Sequence, residues 1–159
     1  GTDCSVGKMY TALAVEKSMR ARNLDADFIA TGQSGIFISG KGLAIDCVVA
    51  DFISGAVEQL SPENDANHWD IIEGQGSLFH PSFAGVTLGL LHGAQPDAMI
   101  LCHVVNRSYM RGMRAHKNPQ QNSSSPAWTR SGRASSRLSI ESRSCGRRTS
   151  HSDSRIIQQ

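Results

Sequence analysis

The chain has 159 residues with 39% apolar, 19% charged and 6% aromatic side chains, enough for one compact domain but not for two full ones. Its net charge of +2 conceals a division: residues 1–117 carry 9 Lys and Arg against 12 Asp and Glu, whereas residues 118–159 carry 7 against 2. An acidic first part argues against a dedicated nucleic-acid surface, and no apolar run approaches the ~18 residues that a membrane span needs. Cys4, Cys47, Cys102 and Cys145 show neither the spacing of a zinc site nor the density of a disulfide scaffold. The expectation is a cytoplasmic protein with reduced, mostly buried thiols and no nucleic-acid or membrane partner.

In chain order, residues 8–22 place Ala12, Leu13, Val15 and Met19 at helical spacing, with Lys17, Arg20 and Arg22 toward the end that the helix dipole favours. The spacing predicts a helix ending near Asn23. Residues 27–31 form a short apolar run of the kind that makes a buried parallel strand, and the Gly-rich stretch 32–42 reads as loop. A second helix is expected over 44–60, from Val48, Phe52, Val57 and Leu60 on a 3.6-residue period, stopped by Ser61-Pro62. Residues 68–74 read as a strand, 83–93 as a helix weakened by Gly85 and Gly89, and 97–105 as a closing strand.

Short strands alternating with helices indicate an α/β fold with a mainly parallel sheet. In such sheets ligands gather at the carboxyl ends of the strands. Here those ends carry Thr31-Gly32-Gln33, Glu73-Gly74-Gln75-Gly76 and His103.

The opening GTDCSVGKM puts Gly7-Lys8 directly before a helix. Unpaired N–H groups of a first helical turn, a glycine that lets backbone approach and a lysine charge together make a phosphate cradle. A glycine turn capping a helix, with Lys8 in solvent, is the plainer alternative. The spacing departs from the usual phosphate loop. Five residues rather than four separate Gly1 from Gly7, and Met9 stands where a Ser or Thr hydroxyl ordinarily helps hold magnesium, so Thr11, water or a different phosphate ligand must compensate. Glu73 ends a buried strand and could sit beside the loop to hold a metal, or it could be a salt-bridged or capping acid.

From residue 118 the composition changes, with 12 Ser and 7 Arg among 42 residues and no Lys or Phe. Such a segment cannot bury enough apolar surface to offset chain entropy. The domain is therefore expected to span 1–117, with 118–159 a disordered polar tail or the product of a shifted reading frame entered near residues 113–120.

The segments GTDCSVGKM, ATGQSGI, ADFISGAVEQL, HWDIIEGQGSLFHPSFAGVTLGLLHG and ILCHVVNRSYMRG resemble the C-terminal P-loop domain of the DgcN-type proteins. That is the D-glutamate N-acetyltransferase-like family, formerly a domain of unknown function. The likeness runs over about residues 1–114, and dethiobiotin synthetase and its cobyric-acid-synthase relatives are more distantly similar. The resemblance implies a P-loop NTPase-like three-layer sandwich, incomplete at both ends, preceded in the family by a Rossmann-like domain and by a strand feeding Gly1. It also implies marginal stability for the chain without that strand.

By the same resemblance Thr2, Asp3, Cys4, Ser5, Val6, Gly7, Lys8 and Met9 would cradle phosphate, and Lys8, Glu73 and His103 would be catalytic. Glu73 with Asp51, or Asp46 in its place, would hold Mg2+. Gln33, Gln75, His80 and Arg107 would bind a small dicarboxylate or amino-acid substrate. His103 and Arg107 match a His-x-x-x-Arg pattern of the family, whereas Tyr10 replaces a common Thr. The implied cofactor is acetyl-CoA, for N-acetylation of D-glutamate, or ATP, for carboxylate activation as in the synthetase relatives. A non-catalytic nucleotide-binding module or an inactive fragment is the remaining alternative, and a homo-oligomer is allowed.

Overall fold

The computed structural model describes residues 1–119, together with the backbone of two further strands, Ile140–Glu141 and Ser154–Gln158. The expected tail otherwise lies outside the described residues. Helices α1 (Lys8–Arg20), α2 (Gln33–Ser39), α3 (Ile53–Leu60) and α4 (Ala84–Ala94) alternate with strands β1 (Ala26–Ile29), β2 (Trp69–Ile72) and β3 (Ala98–Ile100). A hairpin, β4 (Tyr109–Met110) and β5 (Met113–Lys117), follows, and then β6 (140–141) and β7 (154–158). The main sheet has the order β1-β2-β7-β3-β6, parallel throughout except for the edge strand β6.

Side chains of adjacent strand residues point to opposite faces, and β2 shows how this builds three layers. Ile71 packs with Ala12 of α1, Phe28 and Ile100, while Ile72 packs with Ile53 and Val57 of α3 and Leu90 and Ala94 of α4. Each fully buried isoleucine contributes about 1.5–3 kcal/mol. The glycines that weaken α4 as an isolated helix have a packing role. A Cβ at Gly93 would lie 2.3 Å from the Ser54 carbonyl oxygen, and one at Gly89 would lie 2.6 Å from Ile53 Cγ2. Small residues let α3 and α4 approach closely, and Gly93→Ala would force their backbones apart.

The α/β sandwich with a mainly parallel sheet stands as expected from the sequence, and three local expectations change. Residues 32–42 are not all loop, since α2 forms within them and ends at Gly40 in the left-handed conformation (φ 74°). The helix expected over 44–60 starts only at Ile53. Before it, two 3-10 turns at 45–47 and 50–52 flank the extended Val48, and the Ile45 N–H donates to the Thr31 carbonyl at 3.0 Å, tying this stretch to the end of β1.

The strand expected over 97–105 ends at Ile100, because the Cys102 carbonyl turns to accept the Thr2 N–H at 3.0 Å. Strands β6 and β7 lie at 140–141 and 154–158, and β7 fills the position between β2 and β3. Four or five residues suffice for a strand when neighbours on both sides supply its hydrogen-bond partners. Among the described cysteines Cys102 is buried and Cys4 half-buried, whereas Cys47 is exposed. Among the described residues no helix is long and apolar enough to cross a membrane.

Candidate functional site

The segment before α1 is a tight loop, not an extended strand. Ser5 takes a left-handed φ of 51° and Gly7 one of 89°, the latter open to glycine without steric cost. Gly7 caps α1 with no side-chain cap, and the first turn of α1 holds no acidic residue, so its free N–H groups remain available to an anion. Lys8 is buried and its ammonium donates to the Asp3 carbonyl at 3.1 Å. Burial lowers its pKa, against the opposing pull of Cys102, Cys4, Asp3 and Glu73.

Across from Lys8, a compact knot joins the ends of β1 and β2. The Thr31 and Gly32 N–H groups donate to Glu73 Oε2 at 3.1 and 3.2 Å. The Thr31 hydroxyl donates to the Glu73 carbonyl and accepts from Gln75 Nε2 at 3.2 Å. Burial pushes the Glu73 carboxyl above its ordinary value, while the two backbone donors, Gln75 and the Lys8 charge pull the other way. Gly35 makes the arrangement sterically feasible, because a Cβ there would lie 2.2 Å from Glu73 Oε2.

Loop and knot line an open cavity of about 490 Å³. Cys4 through Tyr10 form one wall; Ser34, Asp46, Glu73 and Gln75 supply polar groups, and Phe83 and Val86 an apolar side. Burial and the Asp3 carboxylate raise the Cys4 thiol, so it faces the cavity as a thiol rather than a thiolate nucleophile.

Several residues expected at the site lie elsewhere. Gln33 is the exposed first residue of α2, Asp51 is exposed in a 3-10 turn, and neither lines the cavity. Asp46 does, so it is the second acid near Glu73. Thr11 does not supply the missing loop hydroxyl, because it is buried outside the cavity lining, its hydroxyl donating to the Gly7 carbonyl at 3.0 Å and accepting from Cys102 Sγ at 3.6 Å. With Met9 offering no oxygen and Asp51 turned away, the residues do not reproduce the usual magnesium site of a phosphate loop.

Thr2, Asp3, His80, His103 and Arg107 lie outside the cavity lining, His103 and Arg107 bonded to the loop and His80 to the hairpin beside it. His103 Nδ1 and the Thr2 hydroxyl are 2.9 Å apart, and burial followed by the Arg107 charge lowers the His103 pKa. Fully buried Asp3 accepts the Cys4 N–H (2.7 Å), Arg107 Nη1 (3.0 Å) and the Arg111 N–H (2.9 Å). Burial opposes its charge, but these donors outweigh it and hold the carboxyl below its ordinary value.

Arg111 sits in the turn of the β4–β5 hairpin, and its carbonyl accepts His80 Nε2–H at 3.0 Å while His80 Nδ1 accepts the Ser82 N–H at 3.2 Å. Asp3, Cys4 and His80 place potential metal ligands within 4.8 Å of one another. The Asp3 carboxylate and both His80 nitrogens are already engaged with protein donors and acceptors.

The sequence reading missed Ser34, which sits on the unanticipated α2, and the buttressing hairpin. The part played by Asp3 had one available signal. A carboxylate inside an anion cup would repel the ligand, so its charge had to be neutralised by a cation on the far side.

A left-handed loop entering a helix, a buried lysine and a strand-end acid at the carboxyl edge of a parallel sheet define a P-loop-type α/β domain. The family model described as a domain of unknown function, the DUF1611 C-terminal P-loop domain, matches residues 1–140. The chain belongs to that family, as its motifs implied. It is 70% identical over 113 residues to a D-glutamate N-acetyltransferase of Pseudoalteromonas sp, covering 71% of this chain and 34% of that protein. It is 61% identical, with the same coverage, to a D-glutamate N-acetyltransferase of Tritonibacter scottomollicae. The crystal structure of a DUF1611 family protein from Anabaena variabilis superposes with a TM-score of 0.68 at 36% identity, over 75% of this chain and 34% of that one. The chain thus spans about a third of the length of the relatives it matches.

Proposed function

We propose that this chain is the phosphate-binding P-loop domain of a D-glutamate N-acetyltransferase, and that its loop holds the phosphates of acetyl-CoA. The observation that carries the choice of donor is Met9, which directly follows Lys8 and brings no hydroxyl to the place where a phosphate loop ordinarily holds magnesium. Thr11 lies outside the cavity lining, whereas coenzyme A phosphates need only N–H groups and the Lys8 charge, without a metal. The relatives' names supply the acceptor, D-glutamate, a small dicarboxylic amino acid.

In the transfer, the substrate amine attacks the thioester carbonyl. The C–N bond forms, the C–S bond breaks, and coenzyme A leaves as the thiol while the amine loses a proton. Glu73 is the candidate acceptor of that proton. Its Oε2 is fixed by two backbone donors, and a carboxyl raised by burial is better matched to accepting a proton near neutral pH than an ordinary one. His103, bonded to Thr2 outside the cavity, acts on the loop rather than on substrate.

Carboxylate activation by ATP is the second reading, favoured by the strand-end acid facing Lys8. Calorimetric titration of the chain with acetyl-CoA, ATP and GTP, as wild type and as Lys8→Ala, is expected to show acetyl-CoA binding that the variant loses. In a full-length relative, D-glutamate is expected to trigger release of coenzyme A thiol and no inorganic phosphate. Phosphate release, or binding of ATP alone, would reverse the assignment of the donor.

A further inference from the structure

We propose that Arg107 is a positioning residue that sets the phosphate loop in its anion-receiving shape before any ligand arrives, by clamping the two peptide groups on either side of Ser5. The inference rests on the phosphate-binding reading of the loop but is independent of which phosphate ligand occupies it.

Arg107 Nη1 donates to the Cys4 carbonyl at 2.7 Å and Nη2 to the Ser5 carbonyl at 3.2 Å. These carbonyls belong to the peptide groups that precede and follow Ser5, so one planar guanidinium fixes the orientation of both. A trans peptide carries its C=O and N–H on opposite sides. Holding the Cys4 and Ser5 carbonyls toward Arg107 therefore turns the Ser5 and Val6 N–H groups the other way, and both residues line the cavity.

The conformation being held is one that serine does not favour. Ser5 has φ 51°, and a non-glycine residue persists there when its surroundings over-determine it. Arg107 itself does not line the cavity, and its charge is neutralised by Asp3 at 3.0 Å. The guanidinium thus acts through the loop backbone, and Asp3, anchored also by the Arg111 N–H, holds the guanidinium in place. The sequence expectation that Arg107 binds substrate is replaced by this role.

The first test needs no ligand. The φ of Ser5 is read by NMR in the ligand-free chain from its intraresidue HN–Hα Overhauser effect, which is strong at positive φ because the two protons approach more closely there, taken together with the HN–Hα coupling. It is expected to leave the positive-φ value in Arg107→Ala and Arg107→Lys, since a lysine can neutralise Asp3 but cannot span two carbonyls. Retention of positive φ in both variants would overturn the proposal.

The second test uses inorganic pyrophosphate as the probe, followed by calorimetry. Arg107→Lys, which keeps a cation beside Asp3 but cannot span two carbonyls, is expected to weaken binding by about 10-fold or more, equally at low and high salt because the ligand is not touched directly. Adding Ser5→Gly to Arg107→Lys is expected to restore about fivefold of that loss, because glycine adopts the left-handed conformation without strain. No recovery, or a loss in Arg107→Lys that fades with salt, overturns the clamp. Wild-type chain that fails to bind pyrophosphate defeats the phosphate reading, and the φ of Ser5 still decides the clamp.

Discussion

Strand β2 carries a buried acid toward each end. Asp70 and Glu73 are 4% and 5% exposed, so burial does not distinguish them; their partners do. Asp70 accepts the Ser61 hydroxyl and the His68 ring, side chains that close around it. Glu73 accepts two backbone N–H groups on a single oxygen and lines a cavity together with Lys8. At the amino edge of the sheet, closed in the sense that its polar side chains take one another as partners, Ser61, His68, Asp25 and Asp70 are joined by hydrogen bonds. At the carboxyl edge the strands end in turns whose backbone donors and acids face a shared space, the general location of ligand sites in open parallel sheets. A buried acid signals function when its partners leave room beside it.

The largest expected effect is at the open edge. Lys8→Ala is expected to weaken acetyl-CoA or pyrophosphate binding by up to about 100-fold, since a hydrogen bond to a charged group is worth about 1.5–3 kcal/mol. The melting temperature should hold or rise, because the substitution removes a desolvated buried cation. A variant that binds normally would remove the loop from the functional account.

Next in size is Gly35→Ala. Its new Cβ would collide with Glu73 Oε2, which two backbone donors prevent from yielding, so affinity is expected to fall about 10-fold with a stability loss of about 1–3 kcal/mol. Unchanged affinity, measured by the same titration, would mean that the position of Glu73 does not matter to the ligand.

At the closed edge the pattern should reverse. Asp70→Ala deprives Ser61 and His68 of their acceptor and is expected to cost about 1–3 kcal/mol in chemical denaturation, with ligand affinity as in wild type. A parallel loss of affinity would erase the distinction between the two ends of β2.

Much of this contrast was legible in the sequence. Apolar runs ending in Glu73-Gly74-Gln75 and Thr31-Gly32 located the carboxyl edge, and Gly7-Lys8 before a helical period located the loop. What periodicity could not show is which loop residues face the ligand and which face away, since that depends on backbone turns at Ser5 and Gly7 rather than on residue type. Arg107, His80 and His103 have the chemistry of substrate ligands, and only the path of the chain after β3 and the β4–β5 hairpin puts them outside the cavity lining. Gln33 follows its strand end but opens α2 on the exposed side, and Asp51 lies in a 3-10 turn where a helix was expected, so neither lines the cavity. The helix expected over 44–60 failed at its start for a similar reason: the tie between Ile45 and Thr31 is a tertiary hydrogen bond that no local period encodes.

The smallest expected effect concerns pH, and it belongs to the closed edge. His68 Nδ1 lies 2.9 Å from Asp25 Oδ2 and Nε2 lies 3.2 Å from Asp70 Oδ1. Burial disfavours the imidazolium, but the bond to Asp25 and the charges of both carboxylates outweigh it and raise the pKa above 6.5. Because the folded value exceeds the unfolded one, the folded state binds the proton more tightly, and the resulting stabilisation is complete below about pH 6.5. It is lost as pH rises through the folded value. Asp25 is 70% exposed at its side chain, so solvent limits the effect to less than about 1 kcal/mol. Denaturation midpoints measured from pH 5.5 to 8.5 should show the advantage of wild type over His68→Gln shrinking as pH rises, the contributions of other shifted groups such as His103 cancelling in the difference. A difference that stayed constant across this window would assign the titration to another group.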